Sequence, residues 1–527
     1  LNPRTTTDRA GADNADSPFF GCGATGAPGT ELPCSYTPTT CTRALRFSGF
    51  SYPLPKAFEG RSYVDKAKVR GDNGIGNLRA PIPWVYGTAW VKPVIVAPVG
   101  DPNSNRFQAV LCDGAVDGSG DTDAGSITYV VVNGIEIPFV RYRQDVLRRW
   151  QWITTGTRDG AYIADIPWNG AGDPAGGLAS ILVVVNREIA EPGSVPDVRV
   201  LMKGHKIRIY SDATTFTTAW SNNPVWILLD MLVRSGWRYA DFDLATWVTV
   251  AARCGATITG TSPDGSTFSH ERVAVGFALT DRAQLKDIAE GVMATFDGRL
   301  TLEAGLVCLR QSSTLAVQQP SPVSSSNYLT AVTSQNQAGS AANGYYAYSV
   351  DEEAVLVDSQ NEHRFRVIES GDRIINRVSM SFSRRYERYA GANLTFVDSA
   401  SIARIRRREG QARWLGVTSA DLATRLCSSA IERTIYGNAA NDTRGTDAYE
   451  FATDTRCAHL RPGDIIRVKC SPQVTSFVPA RVEAVRIGTN AVEVQIRATY
   501  HRDAWYLDSA GTGRAAVGTG LDFDAPS

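Results

Sequence analysis

Apolar positions recur at helical spacing in the middle of this chain and at strand spacing on either side of it. Val225, Leu228, Leu229, Leu232 and Val233 fall at i, i+3, i+4, i+7 and i+8, the stripe of an amphipathic helix. Ser221-Asn222-Asn223-Pro224 before it offers an Asn N-cap and a proline at the first helical position, where a missing N–H costs nothing. Gly236 after it is placed for a left-handed C-cap. A second stripe, Leu244, Trp247, Val248 and Ala251, starts at a capping Asp243 and closes at Cys254-Gly255. The third helix is expected to begin near Asp281, to bury Leu285, Ile288, Ala289, Val292, Met293 and Phe296, and to stop at Asp297-Gly298. Arg299 to Arg310 then reads as a hairpin alternating around Leu300, Leu302, Val307 and Leu309. No polar residue interrupts the three stripes, so the pattern predicts packing and by itself names no function.

From Ser62 to about Tyr210 the pattern is that of strands: Ile82 to Pro98, Ile127 to Arg143 and Ser180 to Ile189, with Asn133-Gly134 a two-residue hairpin signal. Short strands with frequent Gly and Pro predict a barrel or sandwich. Beyond a Ser-, Gln-, Asn- and Ala-rich linker (Gln318 to Gly344) strands resume. Val378, Met380 and Phe382 alternate with Ser379, Ser381 and Ser383. Leu460 to Cys470 gives a Pro-Gly-Asp turn into a strand, and Val492, Val494 and Ile496 alternate in another. After Tyr506 the text is Gly- and Ala-rich, and a flexible exit is expected.

At 527 residues the chain exceeds one core and predicts several domains. The expected division is a cysteine-containing segment (1–58), a first β domain (59–218), an α+β domain of three helices and a hairpin (219–315), a second β domain (316–505) and the exit (506–527). The fold class expected is therefore mainly β with an α+β insert. Lys plus Arg balance Asp plus Glu at 54 each, so the global basic charge that drives nucleic-acid binding through counterion release is missing and DNA recognition is not expected as the main role. No apolar run approaches the length of a membrane span and no leader opens the chain, so a soluble protein without a secretory signal is expected. Residue 1 is Leu, which suggests a processed chain or a fragment.

Candidate chemistry is sparse. Asp117, Ser119, Asp121 and Asp123 alternate like calcium ligands, but the sixth-place glycine and the terminal Glu are missing. Gly170-x-Gly172-x-x-Ala175 imitates a dinucleotide fingerprint, yet Pro174 lies inside it. The five histidines, His205, His270, His363, His459 and His501, are far apart. Arg384, Arg385 and Arg388 with Arg404, Arg406, Arg407 and Arg408 form the basic concentration, either a solvated or inter-subunit face or one turned to DNA in a channel. Of nine cysteines, Cys112, Cys254, Cys308, Cys427, Cys457 and Cys470 read as buried free thiols. Cys22, Cys34 and Cys41 group as C-x11-C-x6-C in a stretch too poor in apolar residues to order itself.

Two resemblances add to this reading. The segments "VPDVRVLMKGHKIRIY" and "AWSNNPVWILLDMLVRSGWRYADFDLATWVTVAARCG" resemble the central region of the tail-tip hub proteins of long-tailed bacteriophages, the family of the lambda tail tip protein J. That family's "v-GrkV" strand, "aWsNNPawvllDlL" helix, second helix and final glycine-rich element correspond in order to Lys203 to Tyr210, Ala219 to Leu232, Ala240 to Cys254 and Leu285 to Leu309. Its "P…YG" opening corresponds to Pro83, Tyr86 and Gly87, and its "Nrv.v.f" strand to Asn376 to Phe382. The resemblance covers roughly residues 80 to 500. It implies two β-barrel-like tube domains of the baseplate hub type and a homotrimer that closes the distal end of the tail tube. It also implies contacts with the tail tube or distal tail protein, the tape measure protein and tip or fibre proteins. DNA would pass through the assembly without sequence-specific binding, and the location would be the virion tail tip, assembled in the host cytoplasm. A tail-associated cell-wall hydrolase and a receptor-binding adhesin are the alternatives, but no catalytic constellation has supporting spacing. The N-terminal cysteines, with the "F-x-GF" after them, resemble the C-terminal end of the minor tail protein L family. That resemblance implies thiolate ligation of an iron–sulfur cluster (4Fe-4S) by Cys22, Cys34 and Cys41. The fourth ligand of that family is absent nearby and would have to come from upstream, from a distant residue such as Cys112, or from another chain. A disulfide between two of the three, or three free thiols, are the other readings.

Overall fold

The computed structural model describes the chain between residues 82 and 517, apart from stretches of which the longest are 117–125, 139–159, 166–177, 315–348, 438–445 and 509–515. The described residues are mainly β. Contacts divide the chain into two compact units. One takes the chain up to Ser211 with 215–231 and 275–288; the other takes 212–214, 232–274 and 289–527.

In the first unit the strands follow as β1 (Trp84–Tyr86), β2 (Thr88–Val91), β3 (Val94–Gly100), β4 (Ser104–Asp113), β5 (Ile127–Val132) and β6 (Ile135–Glu136), then β7 (Gly160–Asp165), β8 (Leu178–Asn186), β9 (Val198–Lys203), β10 (Ile207–Tyr210) and β11 (Phe216–Ala219). Two four-stranded antiparallel sheets, in orders β2-β9-β5-β6 and β3-β4-β8-β7, share one apolar core. Every second residue of β8 supplies it, with Ala179, Ile181, Val183 and Val185 fully buried, and Phe107, Ala109 and Leu111 of β4 do the same. The β5–β6 hairpin turns as its sequence predicts: Asn133 and Gly134 both have positive φ (48° and 85°), the twist that matches antiparallel strands.

Helix α1 (Pro224–Arg234) starts where the cap signal places it, with the Asn223 side-chain oxygen accepting from the Val225 N–H at 3.1 Å, and Gly236 takes φ 113° beyond its end. The one-face stripe expected of it is not what is seen. Trp226, Ile227 and Met231 are as buried as Val225, Leu228 and Leu229, so the helix is enclosed on all sides through its first turns.

The chain then enters the second unit with α2 (Leu244–Cys254), β12 (Thr257–Thr261) and β13 (Thr267–Glu271), and returns to the first with β14 (Phe277–Leu279), which pairs with β1. α3 (Leu285–Ala294) begins at Leu285, and of its expected face Ala289 and Val292 are buried while Leu285, Ile288 and Met293 are half-buried. Asp243 stands at the N-cap position of α2 but makes no capping bond; its carboxylate accepts instead from Cys308 Sγ at 3.6 Å. Trp247, fully buried, anchors α2 by donating its indole N–H to the Val307 carbonyl at 3.1 Å. Val307 belongs to the hairpin β15 (Gly298–Glu303) and β16 (Leu306–Gln311). There the expected alternation fails at Leu302, which is 75% exposed near the turn.

The rest of the second unit comprises β17 (Ser349–Val350), β18 (Phe365–Glu369), β19 (Arg377–Arg384), β20 (Ala390–Val397), α4 (Ser399–Ile405), β21 (Glu409–Gln411), α5 (Ala420–Ile435) and β22 (Asp447–Thr453), followed by β23 (Ile465–Cys470), β24 (Val474–Ile487), β25 (Val494–Tyr500) and β26 (Ala516–Val517). A six-stranded sheet runs β17-β23-β24-β25-β22-β18 over its own core, and a four-stranded sheet runs β21-β19-β20-β26. Val378, Met380 and Phe382 face inward from β19 as their alternation predicts, with α5 packed on β19 and β20. The opposite face is a polar ladder, in which Ser379 meets Thr395 at 3.1 Å and Ser381 donates to Asn393 at 2.7 Å. The stretch after Tyr506, expected to be a flexible exit, contains β26, which adds to β20 with Val517 opposite Thr395 and Ala516 opposite Phe396.

Candidate functional site

Residues from five separated segments of the first unit meet at one buried junction. Two glycines make the approach possible. Gly87, between β1 and β2, has φ 60°, and a Cβ there would lie 2.0 Å from the Val275 carbonyl oxygen. At Gly204 a Cβ would lie 2.1 Å from the Val85 carbonyl oxygen. Neither position has room for a side chain. With the backbones this close, the Gly87 carbonyl accepts from the Gly204 N–H (2.6 Å) and from the Trp220 indole N–H (2.9 Å), which uses both of its lone pairs. The His205 N–H donates to the Val85 carbonyl (3.1 Å) and the Val275 N–H to the Asn222 carbonyl (2.9 Å).

Below this backbone crossing lies a polar cluster. The Asp230 carboxylate, on α1, accepts from the Tyr86 hydroxyl and from His205 Nε2, each at 3.0 Å. A carboxylate only accepts, so Nε2 carries a proton. His205 Nδ1 then faces Cys112 Sγ at 3.7 Å. The Tyr86 and His205 rings lie 4.5 Å apart, and Tyr86 also packs on Phe277 at 5.6 Å. Buried polar groups of this kind are costly unless satisfied and specific when they are.

Thiol, imidazole and carboxylate in sequence are the parts of a cysteine nucleophile with its base and orienting acid. The surroundings decide against that use. Cys112 and the His205 side chain have no exposed surface, and a nucleophile must come within about 3–3.5 Å of a substrate atom. What the arrangement does is lock β1, β4, the segment after β9 and α1 together. No spacing rule connects these residues in the sequence, and Cys112 lies in none of the hub-like motifs. The signal that was present is Asp230 itself, a lone carboxylate inside the apolar run of α1, where an unpaired charge would be expensive.

The other sequence candidates divide as follows. Cys22, Cys34 and Cys41, the proposed iron ligands, lie outside the described residues, as do the Asp117 to Asp123 and Gly170 to Ala175 look-alikes and His459. Cys112, Cys254, Cys308, Cys427, Cys457 and Cys470 are buried free thiols, and burial pushes the Cys254 and Cys427 thiols up to about 12. Cys112 Sγ faces His205 Nδ1, and no group of three or more His, Cys, Asp or Glu suited to a metal occurs among the described residues. Three of the seven arginines of the basic concentration are seen in ion pairs. Arg384 holds Glu387 (2.6 Å), Arg385 holds Glu271 (2.8 Å) and Arg407 holds Glu409 (2.6 Å). No described helix is long and apolar enough to cross a membrane.

The second unit has its own ionic knot. Asp297, at φ 55°, accepts from Arg433 at 2.7 Å; Arg481 lies 3.8 Å away and also donates to the Tyr506 hydroxyl (2.9 Å) and to Glu483 (3.1 Å). Burial alone would raise the Asp297 carboxyl, but the Arg433 and Arg481 charges outweigh it and hold it at about 2. Arg433 lies over the Tyr506 ring at 4.9 Å. Each charge here lies beside an opposite charge, which suits a structural knot, although Nε of Arg433 and of Arg481 has no hydrogen-bond partner among the described residues.

No protein-family model matches the chain, and no curated protein matches its sequence. Similar solved structures include a chain of the virion of a native gene transfer agent particle, at 12% identity and TM-score 0.48 over 81% of this chain and 86% of that one. A tail protein from Neisseria meningitidis MC58 is similar at 10% identity and TM-score 0.30 over 81% and 99%. The 43 kDa tail protein of prophage MuSo2 from Shewanella oneidensis is similar at 9% and 0.27 over 81% and 100%. Similarity at this level fixes neither a shared role nor a shared assembly.

Proposed function

We propose that this chain is a structural tail-tip or baseplate hub protein of a long-tailed bacteriophage. The supporting observation is where the hub-like motif residues sit. Tyr86 and Gly87 of the "P…YG" motif, Gly204 of the "GrkV" motif, and Trp220, Asn222 and Asp230 of the "aWsNNP…D" motif are the residues that build the buried junction. Motifs separated by more than a hundred residues converge on one structural device, which is what a resemblance of fold, rather than of composition, requires. In this reading three copies form a ring that closes the distal end of the tail tube. The ring contacts the tube or distal tail protein, the tape measure protein and tip or fibre proteins, and lets DNA pass without reading its sequence.

The role is architectural. The cysteine–histidine–aspartate cluster is enclosed, so cell-wall hydrolysis is assigned to another protein of the particle. The N-terminal cysteines are proposed, on their resemblance alone, to hold iron through Cys22, Cys34 and Cys41. The reading is tested by locating the chain in purified particles with a labelled antibody. Label at the end of the tail remote from the capsid supports it, and label along the tube or on the capsid overturns it.

A further inference from the structure

The second unit contains a cavity of about 470 Å³ lined on one wall by α2 and on others by residues 309–311, 313–314 and 462–464 with Tyr506 and Asp508. That is within the range of about 300–1,000 Å³ typical of small-ligand sites. Three arginines, Arg253, Arg272 and Arg310, face two acids, Asp464 and Asp508. Arg310 is taken by Glu303, which receives two hydrogen bonds from it at 3.0 and 2.8 Å. Arg272 uses Nη1 on Asp508, and its own carbonyl accepts from Arg425 at 2.6 Å. What is left over centres on Arg253, which has two unmade donors where Arg433 and Arg481 have one each. Nε and Nη1 of Arg253 and Nε of Arg272 are buried and have no hydrogen-bond partner among the described residues. Burial, and then the like charge of Arg272, lower the proton affinity of Arg253. Buried charged donors left unmade are costly, and that cost is a demand for an acceptor.

We infer that this cavity binds a small tetrahedral oxyanion of the phosphate class between Arg253 and Arg272. The Asp508 carboxylate already reaches Arg272 and still leaves three donors unmade, so two carboxylate oxygens do not meet the demand. An anion with four oxygens can accept from both guanidinium forks at once. Asp508 then acts as a resident competitor: it partly neutralises the pair when no anion is present and is displaced when one enters. Nothing in this inference depends on the tail-tip reading.

The test is calorimetric titration of the full chain with inorganic phosphate, with acetate and chloride as arms at matched ionic strength. Saturable binding of phosphate is expected, with acetate no better than chloride. Arg253→Gln should weaken phosphate binding roughly tenfold or more, since each hydrogen bond to a charged group is worth about 1.5–3 kcal/mol. Asp508→Asn should tighten it, and this exposed change guards against a misfolded Arg253 variant. Absence of saturable phosphate binding by the unmodified chain, equal binding by Arg253→Gln, or weaker binding by Asp508→Asn would each overturn the inference.

Discussion

Tyr86 donates its phenolic proton to the Asp230 carboxylate at 3.0 Å across 144 positions of chain. Because the same carboxylate oxygen also meets His205, Asp230→Ala strands two buried donors rather than one. A loss of about 2–4 kcal/mol is expected, against about 1 kcal/mol for Tyr86→Phe, which keeps the ring packing. Denaturant unfolding read by hydrogen exchange in β1 and α1 checks this. An Asp230→Ala variant as stable as Tyr86→Phe would show that the cluster does not hold the junction.

Two glycines with positive φ should respond differently to the same substitution. Gly87→Ala places a Cβ 2.0 Å from the Val275 carbonyl, whereas at Gly134, in the β5–β6 turn, a Cβ meets nothing within 4 Å. Gly134→Ala should cost about 1 kcal/mol, from backbone conformation alone. Gly87→Ala should cost more than about 4 kcal/mol or yield insoluble protein. Equal losses would mean that the backbone crossing opens without penalty.

The second unit should be acid-labile through Asp297. Its carboxyl titrates near 2 in the folded chain and near 3.8 when unshifted. A depressed carboxylate contributes stability that is complete above its unfolded value and is lost as pH falls toward its folded value. Stability should therefore decline between about pH 4 and pH 2, and Asp297→Asn should flatten that decline while lowering stability at neutral pH. An unchanged acid limb in the variant would assign the loss to other carboxylates.

The N-terminal cysteines give a chemical prediction. Anaerobically purified particles should contain iron, with broad visible absorption that dithionite bleaches and that Cys34→Ser abolishes. Protein without iron, or with a bridge between two of Cys22, Cys34 and Cys41, would leave the disulfide or free-thiol readings standing.

What could be read from the sequence was local. The inward set of β19, the Asn133-Gly134 turn, the Asn223 cap and the Gly236 stop follow from period and backbone preference within a few residues. What could not be read was long-range polar pairing. Cys112 and His205 lie 93 positions apart and Asp297 and Arg433 lie 136 apart, and no spacing rule connects them. The same limit explains α1. Its apolar stripe predicts one buried face, but a helix wrapped on every side shows the same stripe plus residues such as Trp226 and Met231 that a surface helix would not need. Asp243 illustrates the reverse error: the residue type fits a cap, yet Cys308 claims its carboxylate.

The proposed hub role is tested most directly by the number of copies at the tail end. A reconstruction of the tail tip, with this chain traced into density, is predicted to show three copies in a closed threefold ring mated to a sixfold tube. One copy, six copies, or an open arrangement without a rotational axis would contradict it.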